Sequence, residues 1–166
     1  MNTVKPEAQV VDSMQDAADT NTNTVEVSKK FTGVDIPALA NVFRKVDATN
    51  DDILSAITGF RKMLSVEKNP PVREVIDAHV LTNFVQLLTH SDEKIQFEAA
   101  WALTNVASTE FTRTVVEYGA VPYLVQLLLS EHPDVREQCA WCLGNIAGDA
   151  TDLRDLVLDA GAMDPL

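Results

Sequence analysis

Ala100-Trp-Ala-Leu-Thr-Asn-Val-Ala107 and Ala140-Trp-Cys-Leu-Gly-Asn-Ile-Ala147 are one phrase written twice, 40 residues apart. The same step separates Phe84-Val-Gln-Leu-Leu88 from Leu124-Val-Gln-Leu-Leu128. A third set, Val75-Ile-Asp-Ala78, Val115-Val-Glu-Tyr118 and Val157-Leu-Asp-Ala160, steps by 40 and then by 42. Self-similarity at a fixed period marks stacked structural units, each covering the apolar face of its neighbour. The two residues added in the last step fall after Gly148, and the sequence assigns them to a loop, Gly148-Asp-Ala-Thr-Asp152.

From Val34 onward apolar residues recur at helical spacing. Breakers interrupt them at Asn69-Pro70-Pro71, His90-Ser91-Asp92, Gly119, Pro122, Pro133, Gly148 and Gly161. No set of strands is legible. Each unit reads as a short helix ending at Gly119 or Gly161, a second helix over Pro122 to Leu129, and a longer third over Asp134 to Ala147. A period near 40 fits HEAT or armadillo repeats, and three helices with Gly between the first two favour armadillo. The expected fold is therefore an all-α, right-handed armadillo-repeat solenoid over residues 34–166. It holds about three units and the start of another, incomplete at the C-terminus because Gly161-Ala-Met-Asp-Pro-Leu166 only begins a second helix. Residues 1–33, with the run Asp19-Thr-Asn-Thr-Asn-Thr24 and no apolar stripe, read as a disordered acidic and polar tail.

Composition narrows the function. Apolar residues make up 46% of the 166, enough for a packed core, and no run is long enough for a membrane span or a secretory signal. The expectation is a soluble intracellular protein. A net charge of −12 repels phosphate backbones and attracts basic partners, although acidity alone can also serve solubility. No phosphate-binding, dinucleotide, zinc-protease or nucleophile-elbow motif is present, so no enzyme, cofactor or metal site is expected. His79, His90 and His132 sit at separate junctions without ligand spacing. Cys139 and Cys142 have C-x-x-C spacing, but they lie inside a helical pattern with no second pair, which favours packing over redox chemistry.

The repeated phrase carries a binding constellation instead. Trp101 and Asn105, like Trp141 and Asn145, are four residues apart and share a helix face. Stacking places the two pairs in a row, and the chain has no other Trp. An indole offers a flat wall for the methylene stem of a lysine, and its face attracts the ammonium. An Asn amide donates to a peptide C=O and accepts from a peptide N–H, so it holds an extended backbone without reading sequence. Ser108, seven residues after Trp101, and Gln138, three before Trp141, are placed on the same face, and Asp149 supplies a carboxylate at the helix end. The competing interpretation makes the Trp residues core and the Asn residues polar fillers; duplication in register argues against it.

Phe97-Glu-Ala-Ala-Trp-Ala-Leu-Thr-Asn-Val-Ala-Ser108 resembles the second armadillo repeat of the importin-α family. Glu137-Gln-Cys-Ala-Trp-Cys-Leu-Gly-Asn-Ile-Ala-Gly-Asp149 with Arg154-Asp-Leu-Val-Leu-Asp-Ala-Gly161 resembles the third, and Leu64-Ser-Val-Glu-Lys-Asn-Pro-Pro71 the end of the first. The resemblance covers about residues 51–166. It implies an import adaptor of the cytoplasm and nucleus whose N-terminal repeats bind Lys/Arg-rich nuclear localisation signals of cargo proteins, with no nucleic-acid or membrane partner. It assigns Trp101, Asn105, Trp141 and Asn145 to the signal-binding ladder. Ser65, Ser108, Thr112 and Gln138 become neighbouring contacts, and Asp149 the acid that pairs with the key lysine.

The chain departs from the family pattern in three places. Thr58 and Lys62 stand where a first-repeat ladder would have Trp and Asn, and the loop after Ser108 is two residues shorter. The basic importin-β-binding segment with which the family begins has no counterpart in residues 1–33, which hold only Lys5, Lys29 and Lys30 against five acids. Importin-β is therefore a partner only if a basic segment is supplied elsewhere. The alternatives are a catenin-type armadillo scaffold, whose basic groove is hard to match with the 10 basic and 20 acidic residues of 34–166, and a non-functional truncated duplicate.

Overall fold

The computed structural model describes residues 35–165, all of which belong to one unit of the chain, Phe31–Leu166. The tail expected over 1–33 lies outside the described residues. The described residues are helical throughout: α1 (Ile36–Val42), α2 (Asn50–Leu64), α3 (Val72–Asp77), α4 (Leu81–Leu87), α5 (Glu93–Ala107), α6 (Thr112–Glu117), α7 (Ala120–Leu127), α8 (Pro133–Asp149) and α9 (Thr151–Asp159). Helices α3, α4 and α5 form one three-helix unit, α6, α7 and α8 the next, and α9 opens a further one. The three long helices stack in order, α5 packing between α2 and α8. That stack is the armadillo solenoid expected from the repeat.

Short recurrent bonds set each unit's geometry. Between the first two helices the chain passes through a left-handed residue: His79 (φ 57°), Gly119 (φ 78°) and Gly161 (φ 83°). In each case that residue's N–H donates to the carbonyl three residues earlier, at 2.9 Å: Ile76, Val116 and Leu158. Before α5 and α8 a side chain from the first turn of the helix ties back to the preceding loop. Gln96 Nε2 donates to His90 O and Arg136 Nη1 to Ser130 O, both at 2.7 Å. Helix α2 starts on a capping box, in which Thr49 Oγ1 accepts from Asp52 N at 3.2 Å and Asp52 Oδ2 accepts from Thr49 N at 3.0 Å.

Two local expectations are corrected. Gly148 is no breaker, and Gly148–Asp152 is no loop: Gly148 and Asp149 are the last residues of α8, Thr151 and Asp152 the first of α9. The break is one extended residue, Ala150 (φ −151°, ψ 155°). Pro122 lies inside α7, at its third residue, where its missing N–H is one the first turn leaves without a helical acceptor.

The core runs along the stack. Ile95, Ala99, Leu103 and Val106 of α5 are fully covered, as are Cys139, Cys142 and Ile146 of α8. At the α1–α2 end three rings meet: Phe43 and Phe60 at 5.9 Å, Phe60 and Phe84 at 5.2 Å between centroids. No helix among the described residues is long and apolar enough to cross a membrane.

Candidate functional site: a tryptophan–asparagine ladder

The covered sides of α5 and α8 fix which way their remaining faces turn. Ile95, Ala99, Leu103 and Val106 point inward on α5, leaving Glu98, Trp101, Asn105 and Ser108 on a partly open face. On α8 the matching face carries Trp141, Asn145 and Asp149. Trp101 is half-buried and Trp141 is 44% exposed. Phe97, one turn before Trp101, braces that indole edge-on at 5.5 Å, whereas the same place on α8 holds Glu137, which accounts for part of the difference.

Each ladder Asn also bonds across the joint to the preceding long helix. Asn105 Nδ2 donates to Ser65 Oγ at 2.9 Å and lies 3.4 Å from Arg61 O. Asn145 Nδ2 makes the matching contact to Thr104 O, also 3.4 Å. These contacts tie both amides to the preceding long helix. Ser65, Ser108 and Asp149 are exposed beside them; Ser108 Oγ donates to Asn105 O at 2.8 Å, and Ser65 Oγ to Arg61 O at 2.7 Å.

Thr112 and Gln138 are placed differently from the expectation of groove contacts. Thr112 is buried, its hydroxyl 2.9 Å from Ala107 O and 2.8 Å from Thr109 O, where it closes the C-terminus of α5. Gln138 is only 6% exposed, and its Nε2 donates to Thr104 Oγ1 at 2.8 Å in the α5–α8 joint. Here α5 packs closely enough to cover a side chain three residues before an exposed indole.

The structure adds two residues that sequence reasoning missed. The Arg61 guanidinium stacks over the Trp101 ring, 4.3 Å from its centroid. Glu98 grips the same guanidinium with both carboxylate oxygens, Nε to Oε2 at 2.8 Å and Nη2 to Oε1 at 3.0 Å. Their side chains are 16% and 13% exposed. A signal was present in the sequence: Arg61 precedes Lys62 as Thr104 precedes Asn105, and Glu98 precedes Trp101 as Gln138 precedes Trp141.

Cys139 and Cys142 are free and buried. Burial pushes both thiols up to about 12, so they stay protonated at neutral pH. Among the described residues no three His, Cys, Asp or Glu side chains are placed to hold a metal ion.

Three-helix units with a recurrent left-handed turn and a ladder of Trp and Asn define an armadillo-repeat protein. The armadillo/beta-catenin-like repeat family matches residues 68–108 and 108–148. Importin subunit alpha-2 of Arabidopsis thaliana is 50% identical over 82% of this chain and 28% of its own length. Importin subunit alpha-1a of Oryza sativa subsp. japonica is 51% identical over 81% of this chain and 27% of its own length. The chain belongs to the importin-α family. It spans little more than a quarter of those relatives. Among solved structures it is similar to a designed armadillo repeat protein in complex with the peptide (KR)4. There the TM-score is 0.72 and the identity 29%, over 78% of this chain and 54% of the designed one.

Proposed function

We propose that this chain binds extended Lys/Arg-rich peptides, the nuclear localisation signals of cargo proteins, along the ladder Trp101, Asn105, Trp141 and Asn145, as part of an import adaptor moving between cytoplasm and nucleus. The observation that carries it is the duplicated Trp–Asn pair on successive long helices, each Asn aimed by the same cross-repeat contact. The indoles pack against lysine stems and attract their ammonium groups, while the Asn amides hold the peptide backbone. Asp149, on the last residue of α8, sits where helix carbonyls already concentrate negative charge. That end disfavours a carboxylate and favours a cation, so a lysine docked there relieves both. Ser65 and Ser108 line the path; from below, Thr112 fixes the backbone at the end of α5 and Gln138 ties α8 to the Thr104 hydroxyl. The resemblance to a designed armadillo repeat protein complexed with (KR)4 supports a basic ligand. The role is binding rather than catalysis, with no cofactor, nucleic acid or membrane partner, and importin-β engages only through a basic segment supplied outside residues 1–33.

Titration calorimetry with a Lys-Lys-x-Lys peptide tests this. Binding that weakens in Trp141→Ala and fails in Asp149→Lys is expected; equal affinity in wild type and Asp149→Lys would show that this groove is not used.

A further inference from the structure

The two indoles of the ladder stand in different surroundings. Arg61 and Thr104 hold equivalent places on α2 and α5: the carbonyl of each lies 3.4 Å from the ladder Asn of the following unit. Glu98 and Gln138 hold equivalent places on the next helix, and each binds that residue's side chain. The α2–α5 joint is therefore bridged by Arg61–Glu98 and the α5–α8 joint by Thr104–Gln138. The bridges differ in reach. The Arg61 guanidinium extends over the Trp101 ring. The Thr104 hydroxyl is short and committed, donating to Ala100 O at 2.8 Å while accepting from Gln138. It leaves the Trp141 ring open, in keeping with that residue's 44% exposure.

We infer that Arg61 is a specificity-determining residue: it fills, from within the chain, the cation slot on the α2-facing side of Trp101. This rests on the peptide-binding function proposed above. A cation–π site accepts one cation, and the Arg61 guanidinium is already stacked, desolvated and neutralised by Glu98. A peptide lysine arriving there must displace it and leave Glu98 without its partner. The ladder thus accepts lysines from the space between Trp101 and Trp141 onward and closes on the α2 side. Basic residues of a ligand that extend past Trp101 toward α2 add little affinity.

The test exchanges the two bridges, each exchange leaving net charge unchanged. In one variant Arg61→Thr is combined with Glu98→Gln; in the reciprocal variant Thr104→Arg is combined with Gln138→Glu. Two peptides are titrated against the 166-residue chain and its variants by tryptophan fluorescence: a Lys-Lys-Gly-Lys core flanked by Gly-Ser, and the same core extended by two lysines at both ends. Opening the slot should raise the long-over-short affinity ratio about tenfold relative to wild type. Filling the Trp141 slot should weaken the short peptide by about the same factor. An unchanged ratio in the first variant, with its far-UV circular dichroism retained, overturns the role of Arg61. Should that variant unfold, the reciprocal one decides, and short-peptide affinity equal to wild type overturns the inference. If wild type binds neither peptide, the ligand class itself is wrong and the slot assignment falls with it.

Discussion

His79 takes a left-handed backbone (φ 57°) at a turn where the next two units use Gly119 and Gly161. A side chain in that region costs roughly 1–2 kcal/mol, which glycine avoids, although its freer unfolded chain returns part of the gain. His79→Gly is expected to stabilise the fold by about 0.5–1 kcal/mol, measured as a raised midpoint in urea. At the ladder, Trp141→Ala should weaken every basic peptide by about 0.5–2 kcal/mol, because the exposed indole serves any lysine stem. Asp149→Lys should weaken binding far more than Asp149→Ala, since it adds repulsion to a lost partner, while Glu131→Ala, outside the ladder, should change little. Calorimetry on the set ranks them. At this scale the sequence exposed whatever recurs: Trp and Asn are legible because they repeat in register. Arg61 was missed although its register repeats, because its counterpart one unit on is Thr104, a residue of different size and charge. Gln138 was expected on the ladder face and is buried, because how closely α5 approaches it is a matter of packing and not of spacing.

Among the elements, the long helices were legible because their apolar stripes and punctuation agree; the ends were not. Helix α8 was expected to stop at Ala147 and instead reaches Asp149, since a glycine is tolerated in a last turn where α9 packs against the helix. That extension makes Asp149 the last residue of the helix. The start of α2 is better determined. Thr49 and Asp52 cap each other, and the backbone N–H and hydroxyl of Thr49 hold the Asp52 carboxyl below its usual value of 3.8. A depressed carboxyl pKa contributes stability that is fully present above the unfolded value and is lost as pH falls through the folded one. The capping contribution should thus persist at neutral pH and fade in acid, below about pH 4. Thr49→Ala is expected to remove about 1 kcal/mol of stability at pH 7. The Asp52 titration, followed by NMR, should move up toward its ordinary midpoint in that variant. The variant keeps the backbone N–H at position 49, so an unmoved midpoint would mean that the Thr49 hydroxyl does not hold the carboxyl in solution.

Over the whole molecule, charge sets how a ligand arrives and local contacts set how long it stays. The chain carries −12, of which residues 1–33 contribute three lysines against five acids. A tail of that sign has no attraction for an acidic groove, so deleting residues 1–33 should leave the affinity for a basic peptide unchanged. A several-fold gain on deletion would reveal a self-inhibiting contact. Residues 34–166 carry 20 acids against 10 bases. Such a field acts at distances comparable to the Debye length, about 8 Å at physiological salt and about 3 Å at 1 M. It accelerates the encounter with a cationic peptide and is screened as salt rises. Contacts with Trp141 and the Asn amides act only once the peptide is seated, so they govern departure. Stopped-flow tryptophan fluorescence separates the two. Raising salt from 0.05 to 0.5 M should slow association about tenfold or more while changing dissociation little. Trp141→Ala should do the reverse, leaving the salt dependence of association intact and hastening dissociation. Association that ignored salt would place the peptide on a surface outside this acidic field, and the ladder would lose its claim to it.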